Sequence, residues 1–137
     1  MRPPEEIVIR KIVGEWMRKA DQDIRAAEAL LSQNPPLLYP SCFHSQQAAE
    51  KYLKAYLTWL QVEFPKTHSI REILNLVRTV DEEVAITLMP AADLTPYSIE
   101  VRYPGDSPEP SQNEAENALV LARRVADVIT VRLQENK

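Results

Sequence analysis

Apolar side chains recur at helical spacing along most of the chain, and prolines mark where the runs stop. In residues 8–33, Val13, Trp16, Met17, Ala20, Ile24, Ala27, Leu30 and Leu31 form one stripe, with Arg18, Lys19, Gln22 and Arg25 off it. That pattern predicts a long amphipathic helix. It ends at SQNPP, where Asn34 precedes two prolines that lack an N–H and disfavour helical geometry in the residue before them. Ser41 is the predicted cap of a second helix. Its core stripe of Cys42, Ala49, Leu53, Tyr56 and Leu60 is widened by Ala48, Tyr52, Ala55 and Trp59 into two apolar flanks. FPKTHS breaks the pattern, and Thr67 or Ser69 caps a short third helix marked by Ile70, Ile73, Leu74 and Val77. Asp81 opens a fourth segment that Pro90 must kink or end. In LTPY, Thr95 as N-cap and Pro96 at the first helical position predict a short helix over about 96–103, stopped by Pro104 and Gly105. Beyond the polar stretch GDSPEPSQ, a last long helix carries Ala115, Leu119, Ala122, Ala126, Ile129 and Leu133, broadened by Val125, Val128 and Val131.

Long helices joined by short Pro-containing loops predict an all-α domain, an antiparallel up-and-down four-helix bundle with an additional short helix. Three long elements form three walls, and the shorter pieces between the second and last complete the fourth. No strand-like alternation competes, and no internal repeat divides the chain, so residues 1–137 read as one domain with its core over about 8–135. The broad apolar faces of the second and last helices exceed what a monomeric bundle needs to bury, which predicts a homodimer seam on one flank.

Composition narrows the class. The chain has 137 residues, 45% hydrophobic and 26% charged, which suits a soluble helical domain rather than a disordered one. Cys42 is the only cysteine, so no intrachain disulfide, thiolate zinc cluster or CxxC pair is available. No apolar run approaches the ~18–20 residues of a spanning helix, and the start MRPPEEIVIRK interrupts its apolar residues with charges. A cytoplasmic protein with no membrane partner is expected. With 16 Lys and Arg against 20 Asp and Glu, the net charge is −4, so contact with a nucleic acid must come from a local basic patch.

The usual chemical signatures are missing. GxxxxGK[ST], GxSxG, HExxH and GxGxxG do not occur, and with only Gly14 and Gly105 no glycine-rich phosphate loop can be built. His44 and His68 sit on separate elements, so no metal site is predicted from spacing, and no cofactor is called for. On the second helix, SCFHSQQAAEKYLKAYL sets His44, Gln47 and Lys51 at i, i+3 and i+7 as a polar ridge. The plain reading of that ridge is a solvated face, with Glu50 and Lys54 a surface i,i+4 ion pair. A second cluster is YSIEVRYPGD. There, Tyr97, Val101 and the stem of Arg102 can simply pack, with Arg102 bound to Glu100 or Asp106. Equally, an arginine beside a helix end and a tyrosine is a fork for phosphate or carboxylate with an aromatic plane next to it. Spacing alone leaves both readings open.

Taken in order, SCFHSQQAAEKYLKAYL, THSIREIL and PYSIEVRYPGD resemble the HEPN domain, the higher eukaryotes and prokaryotes nucleotide-binding domain, over roughly residues 15–133. The resemblance implies four long helices with a short extra one, usually as a dimer. It also implies a minimal nucleotidyltransferase as partner and, in many members, an RNA-cleaving toxin that needs no metal. Such nucleases share an Arg-x4-6-His pattern. Arg102 matches its arginine, but the positions for the histidine hold Ser107, Pro108 and Glu109. Metal-free RNA cleavage needs the 2′-OH deprotonated and the leaving oxygen protonated, tasks suited to a histidine and not to a permanently protonated arginine.

The leading expectation is therefore a non-catalytic module, a toxin–antitoxin-like partner of a nucleotidyltransferase, holding a nucleotide or RNA phosphate at Arg102. Tyr103, Tyr97, Asp106, Lys51, His44 and Gln47 would assist, the ridge sharing one cleft with Arg102. The alternatives are a metal-independent RNase toxin with a rearranged His44, and a ligand-free structural dimer.

Overall fold

The structure is a computed structural model that describes residues 3–106 and 108–135. Ser107, in the histidine window, lies outside the described residues. The chain forms α1 (Pro3–Leu31), α2 (Leu38–Leu60), α3 (Ile70–Arg78), α4 (Glu82–Leu88), a 3₁₀ segment (Met89–Ser98) and α5 (Gln112–Glu135). It is an all-helical bundle, as the spacing of apolar positions predicts. Among the described residues no helix is long and apolar enough to cross a membrane.

Several ends differ from expectation for identifiable reasons. α1 begins at Pro3 rather than near residue 8, because its two prolines fall in the first turn, where a missing N–H leaves no bond unmade. α2 begins at Leu38, so Ser41 is a helical residue and not a cap. Its hydroxyl donates instead to the Ala27 carbonyl of α1 at 2.8 Å. Ser69 does cap α3, accepting from the Glu72 N–H at 3.2 Å, and Asp81 caps α4 by accepting from the Val84 N–H at 3.2 Å. The short helix predicted over 96–103 is absent. Helical winding continues from α4 through the 3₁₀ segment and stops at Ser98, with Pro96 inside it. Thr95 caps nothing there; its hydroxyl accepts from the Ile70 N–H at 3.1 Å and ties the segment to α3. Residues 99–103 leave without regular secondary structure, and Ile99, Val101 and Tyr103 are exposed.

α2 is the axis of the fold. α1 runs antiparallel to it, joined by Ser41 to Ala27 at one end and by the Arg10 guanidinium 4.9 Å over the Trp59 ring at the other. α3 and the α4–3₁₀ leg form a helical hairpin on the opposite side, so the fourth wall is two short legs. Alanines 20 and 27 of α1, 48, 49 and 55 of α2, and 115, 118 and 122 of α5 are all buried and let the long helices approach closely. Leu53, Leu57, Ile70, Ile73, Leu74, Val77, Leu88, Val125 and Ile129 fill the space between the layers. Most of the broad apolar face of α2 is buried inside the chain, with Trp59 and Leu60 half-buried at its end.

One polar clasp ties the hairpin to the long helices. Asp81 accepts from the Tyr56 hydroxyl at 2.6 Å, and the Arg132 Nε lies 3.1 Å from the same oxygen. Burial alone would push the Asp81 carboxyl up, but the Tyr56 hydroxyl, the Val84 N–H and Arg132 outweigh it and hold it below the usual carboxylate range. A depressed folded-state pKa stabilises the fold above the ordinary carboxylate pKa, and that contribution is lost as pH falls through the folded value. Asp81→Asn keeps a capping side chain but removes the charge. It is expected to lower the unfolding free energy near neutral pH by about 1.5–3 kcal/mol. Urea titrations at stepped pH should show the gap to wild type closing below about pH 4; a gap independent of pH would exclude this account.

Candidate functional site

The segment RYPGD is a tight turn. Pro104 and Gly105 occupy its centre, Gly105 with φ +94°, a left-handed value that a side chain would strain. The Asp106 N–H donates to the Tyr103 carbonyl at 3.1 Å, and the Asp106 carboxylate accepts from the Tyr103 N–H at 2.7 Å. This double closure accounts for a glycine here in a chain with two. The turn sends Tyr103 outward, 72% exposed, and Arg102 inward, with its side chain 16% exposed.

Arg102 lies over Tyr39, its guanidinium carbon 4.3 Å from the ring centroid, and pairs with Glu109 at 3.0 Å. Tyr39 is itself fixed: its hydroxyl donates to the Ile99 carbonyl at 2.7 Å, and its ring meets that of Tyr97 edge-on at 6.0 Å. Together they border a cleft of about 400 Å³ closed by Asp106, Pro108, Pro110 and Glu114. Burial pushes the phenols of Tyr39 and Tyr97 up, so both are protonated hydrogen-bond donors at neutral pH. Cys42, packed beside this end of α2, is pushed up to about 11 by burial and by Glu114 and Glu109, which keeps it a thiol. Glu114 also completes a capping box with Ser111, each side chain accepting from the other's backbone N–H. The cleft is thus lined by one cation, two rings and two carboxylates, and Glu109, 70% exposed, pairs with the cation from beside it.

The ridge of α2 does not reach this cleft: His44, Gln47 and Lys51 are absent from its lining. His44 Nδ1 and Lys51 Nζ instead meet the two oxygens of Asp23 on α1, at 2.8 and 2.6 Å. Gln47 donates to the Gln46 side chain at 2.7 Å. The single cleft expected from the sequence is therefore two separate places. Arg102, Tyr97 and Asp106 meet at one, with Tyr103 pointing away from it, and His44 and Lys51 meet at the other. Tyr39, Glu109 and Glu114 were missed. Only Glu109 had a signal in the sequence, its place in the histidine window.

A third cluster overturns the reading of Glu50 and Lys54 as a surface pair. Their side chains are 5% and 10% exposed and meet at 3.1 Å. Glu50 also receives His68 at 2.8 Å and Gln46 at 3.2 Å, while the Lys54 ammonium faces the rings of Trp16 and Phe64 at 5.9 and 5.8 Å. Each of these polar groups has a partner, as burial demands.

The HEPN domain model matches residues 13–133, which is most of the chain. This chain belongs to the HEPN domain family. The crystal structure of TT1696 from Thermus thermophilus is 30% identical, with a TM-score of 0.67, covering 86% of this chain and 95% of that one. The crystal structure of ST0689, described as an archaeal HEPN homologue, shares the fold at 24% identity and a TM-score of 0.66, covering 88% and 96%. No curated protein matches the chain. Glu109, the last position of the Arg102-x4-6 window, pairs its carboxylate with Arg102.

The buried Glu50 cluster makes a distinct demand on this HEPN bundle. Glu50→Ala strands the Lys54 ammonium and is expected to cost about 3–5 kcal/mol, whereas Glu50→Leu with Lys54→Met should recover most of that loss. Chemical denaturation of the three proteins checks it; a single variant as stable as wild type would contradict the geometry.

Proposed function

We propose that this HEPN protein binds a nucleotide, or a terminal nucleotide of RNA, at the Arg102 cleft and does not cleave it. The observation that carries the reading is the Arg102 guanidinium held over Tyr39 beside Tyr97 at the mouth of a ligand-sized cleft. A phosphate takes the guanidinium by displacing Glu109, whose exposed side chain can swing away. The two rings give a base an apolar surface to lie against. Asp106 and Glu114 are acceptors for ribose hydroxyls or base amino groups. Their negative charge also sets the affinity: binding is weak and falls as salt rises.

Support for binding rather than cleavage comes from the groups within reach. The histidine window ends on a carboxylate already paired with Arg102, His44 is committed to Asp23 outside the cleft, and the nearby phenols and thiol are protonated. The phenols and the thiol are therefore not bases at neutral pH, and His44 does not line the cleft. In this reading the exposed row of Ile99, Val101 and Tyr103 beside the cleft is where a partner nucleotidyltransferase bears on the module. A homodimer remains part of the proposal, its seam formed by surface outside α2.

Fluorescence anisotropy with a labelled mononucleotide and a short RNA tests the site. Arg102→Ala is expected to abolish binding and, because the guanidinium is stacked rather than on the surface, to cost about 1 kcal/mol of stability as well. Glu109→Gln, which removes the competing carboxylate charge, should tighten binding by roughly tenfold. Unchanged affinity in both variants, or cleavage of the RNA in the presence of a chelator, would overturn the proposal. Co-expression with a minimal nucleotidyltransferase, followed by size measurement, tests the partner.

A further inference from the structure

Away from the Arg102 cleft, a trough of about 340 Å³ opens between α1 and α5 over the end of α2. Val13, Gly14 and Met17 of α1, Trp59 of α2 and Leu133 of α5 make its apolar wall. Arg10, Thr130 and Gln134 stand on its rim. Among the described residues no carboxylate lines it, in contrast to the Arg102 cleft with its Asp106 and Glu114 and to the cavity at α4, bordered by Glu83, Asp127 and Glu135. In a protein of net charge −4, this is a cavity whose described lining carries charge only as a cation.

Gly14 is the second observation. It lies well inside α1, where glycine is the least favourable residue after proline. Its backbone does not need glycine, since Gly105 is the glycine with positive φ. Its packing does not either: a Cβ there would find only the Arg18 Nη1, at 3.7 Å. The bare Cα leaves a flat patch on the trough wall, which Trp59 shares. Glycine is used where something approaches the backbone closely, and among the described residues only the far end of the Arg18 side chain comes near this one.

We infer that the trough is a binding site for a small planar aromatic acid. The ring lies on the Gly14 patch between Met17 and Trp59, and the acid group meets Arg10, with Thr130 and Gln134 completing its hydrogen bonds. Arg10 is placed for this. It sits 4.9 Å over Trp59, and its existing partner Glu6, at 2.8 Å, forms a solvent-exposed i,i+4 pair that an incoming anion can displace. Aromatic bodies with a single anionic group match a mostly apolar pocket carrying a few convergent polar groups.

Isothermal titration of the full chain with 1-naphthoate and with its neutral analogue 1-naphthalenemethanol tests the site. The acid is expected to bind more tightly than the alcohol. Arg10→Gln should weaken the acid by roughly tenfold, the effect of one charge-assisted contact, while leaving the alcohol nearly unchanged. Gly14→Leu fills the trough and should abolish both, and since leucine favours helix, its melting temperature should not fall. Gly14→Ala, a smaller filler, should raise the melting temperature and weaken binding. No naphthoate binding at about 1 mM, or unchanged binding in Gly14→Leu, would overturn the proposal. So would a sedimentation result in which Gly14→Leu dissociates an oligomer while naphthoate fails to bind, because the trough would then be filled by a second copy.

Discussion

A helix surrounded by other helices must satisfy its polar side chains inside the protein, because water cannot reach them. α2 is in that position. Its apolar residues contact α1, α5 and the α3–α4 hairpin, and several of its polar ones meet partners from those elements or the loops beside them, while the buried Ser45 hydroxyl has no hydrogen-bond partner among the described residues. Ser41 bonds α1, Glu50 receives His68 from the loop before α3, Lys51 meets Asp23 of α1, and Tyr56 reaches Asp81 at the cap of α4. Each bond fixes the rotation of α2 against a neighbour in a way that interchangeable alanines and leucines cannot.

The same placement explains the shape of the Arg102 cleft. Tyr39 stands in the first turn of α2, where Pro40 is tolerated, and its hydroxyl anchors the chain leaving the 3₁₀ segment. Arg102 then lands on the Tyr39 ring because the Pro104–Gly105 turn, locked by Asp106, allows few other directions. The carboxylate of Glu109 compensates the guanidinium. It does so from a loop of prolines that connects to α5 without a regular element of its own. The cleft is thus assembled from the start of one long helix, the exit of a short one and a loop, which come together only when the bundle closes.

Much of this was legible in the residues. The helical class follows from 3.6-residue spacing over long runs, and breaks at Asn34–Pro36 and at FPKTHS follow from proline chemistry. A cap at Thr67 or Ser69 and a new segment opening at Asp81 follow from short polar side chains ahead of apolar periodicity; the structure uses Ser69 and Asp81 as caps. The motifs were specific enough to point to the HEPN family. Less legible was the segment around Pro96. A proline after threonine is equally at home at the start of a new helix and inside a 3₁₀ segment, and contact with α3 decided for the second.

What the sequence determined by itself is local: where the long helices run, roughly where they stop, and that Gly105 must sit in a turn. What only the tertiary structure decided is which polar residues meet, because that depends on the rotation and height of one helix against another. His44, Gln47 and Lys51 line one face of α2, but whether they faced Arg102 or Asp23 was set by the packing of α1 on α2. Glu50 and Lys54 have the spacing of a surface ion pair. They are buried because α2 lies at the centre of the bundle, and their spacing is the same in either environment.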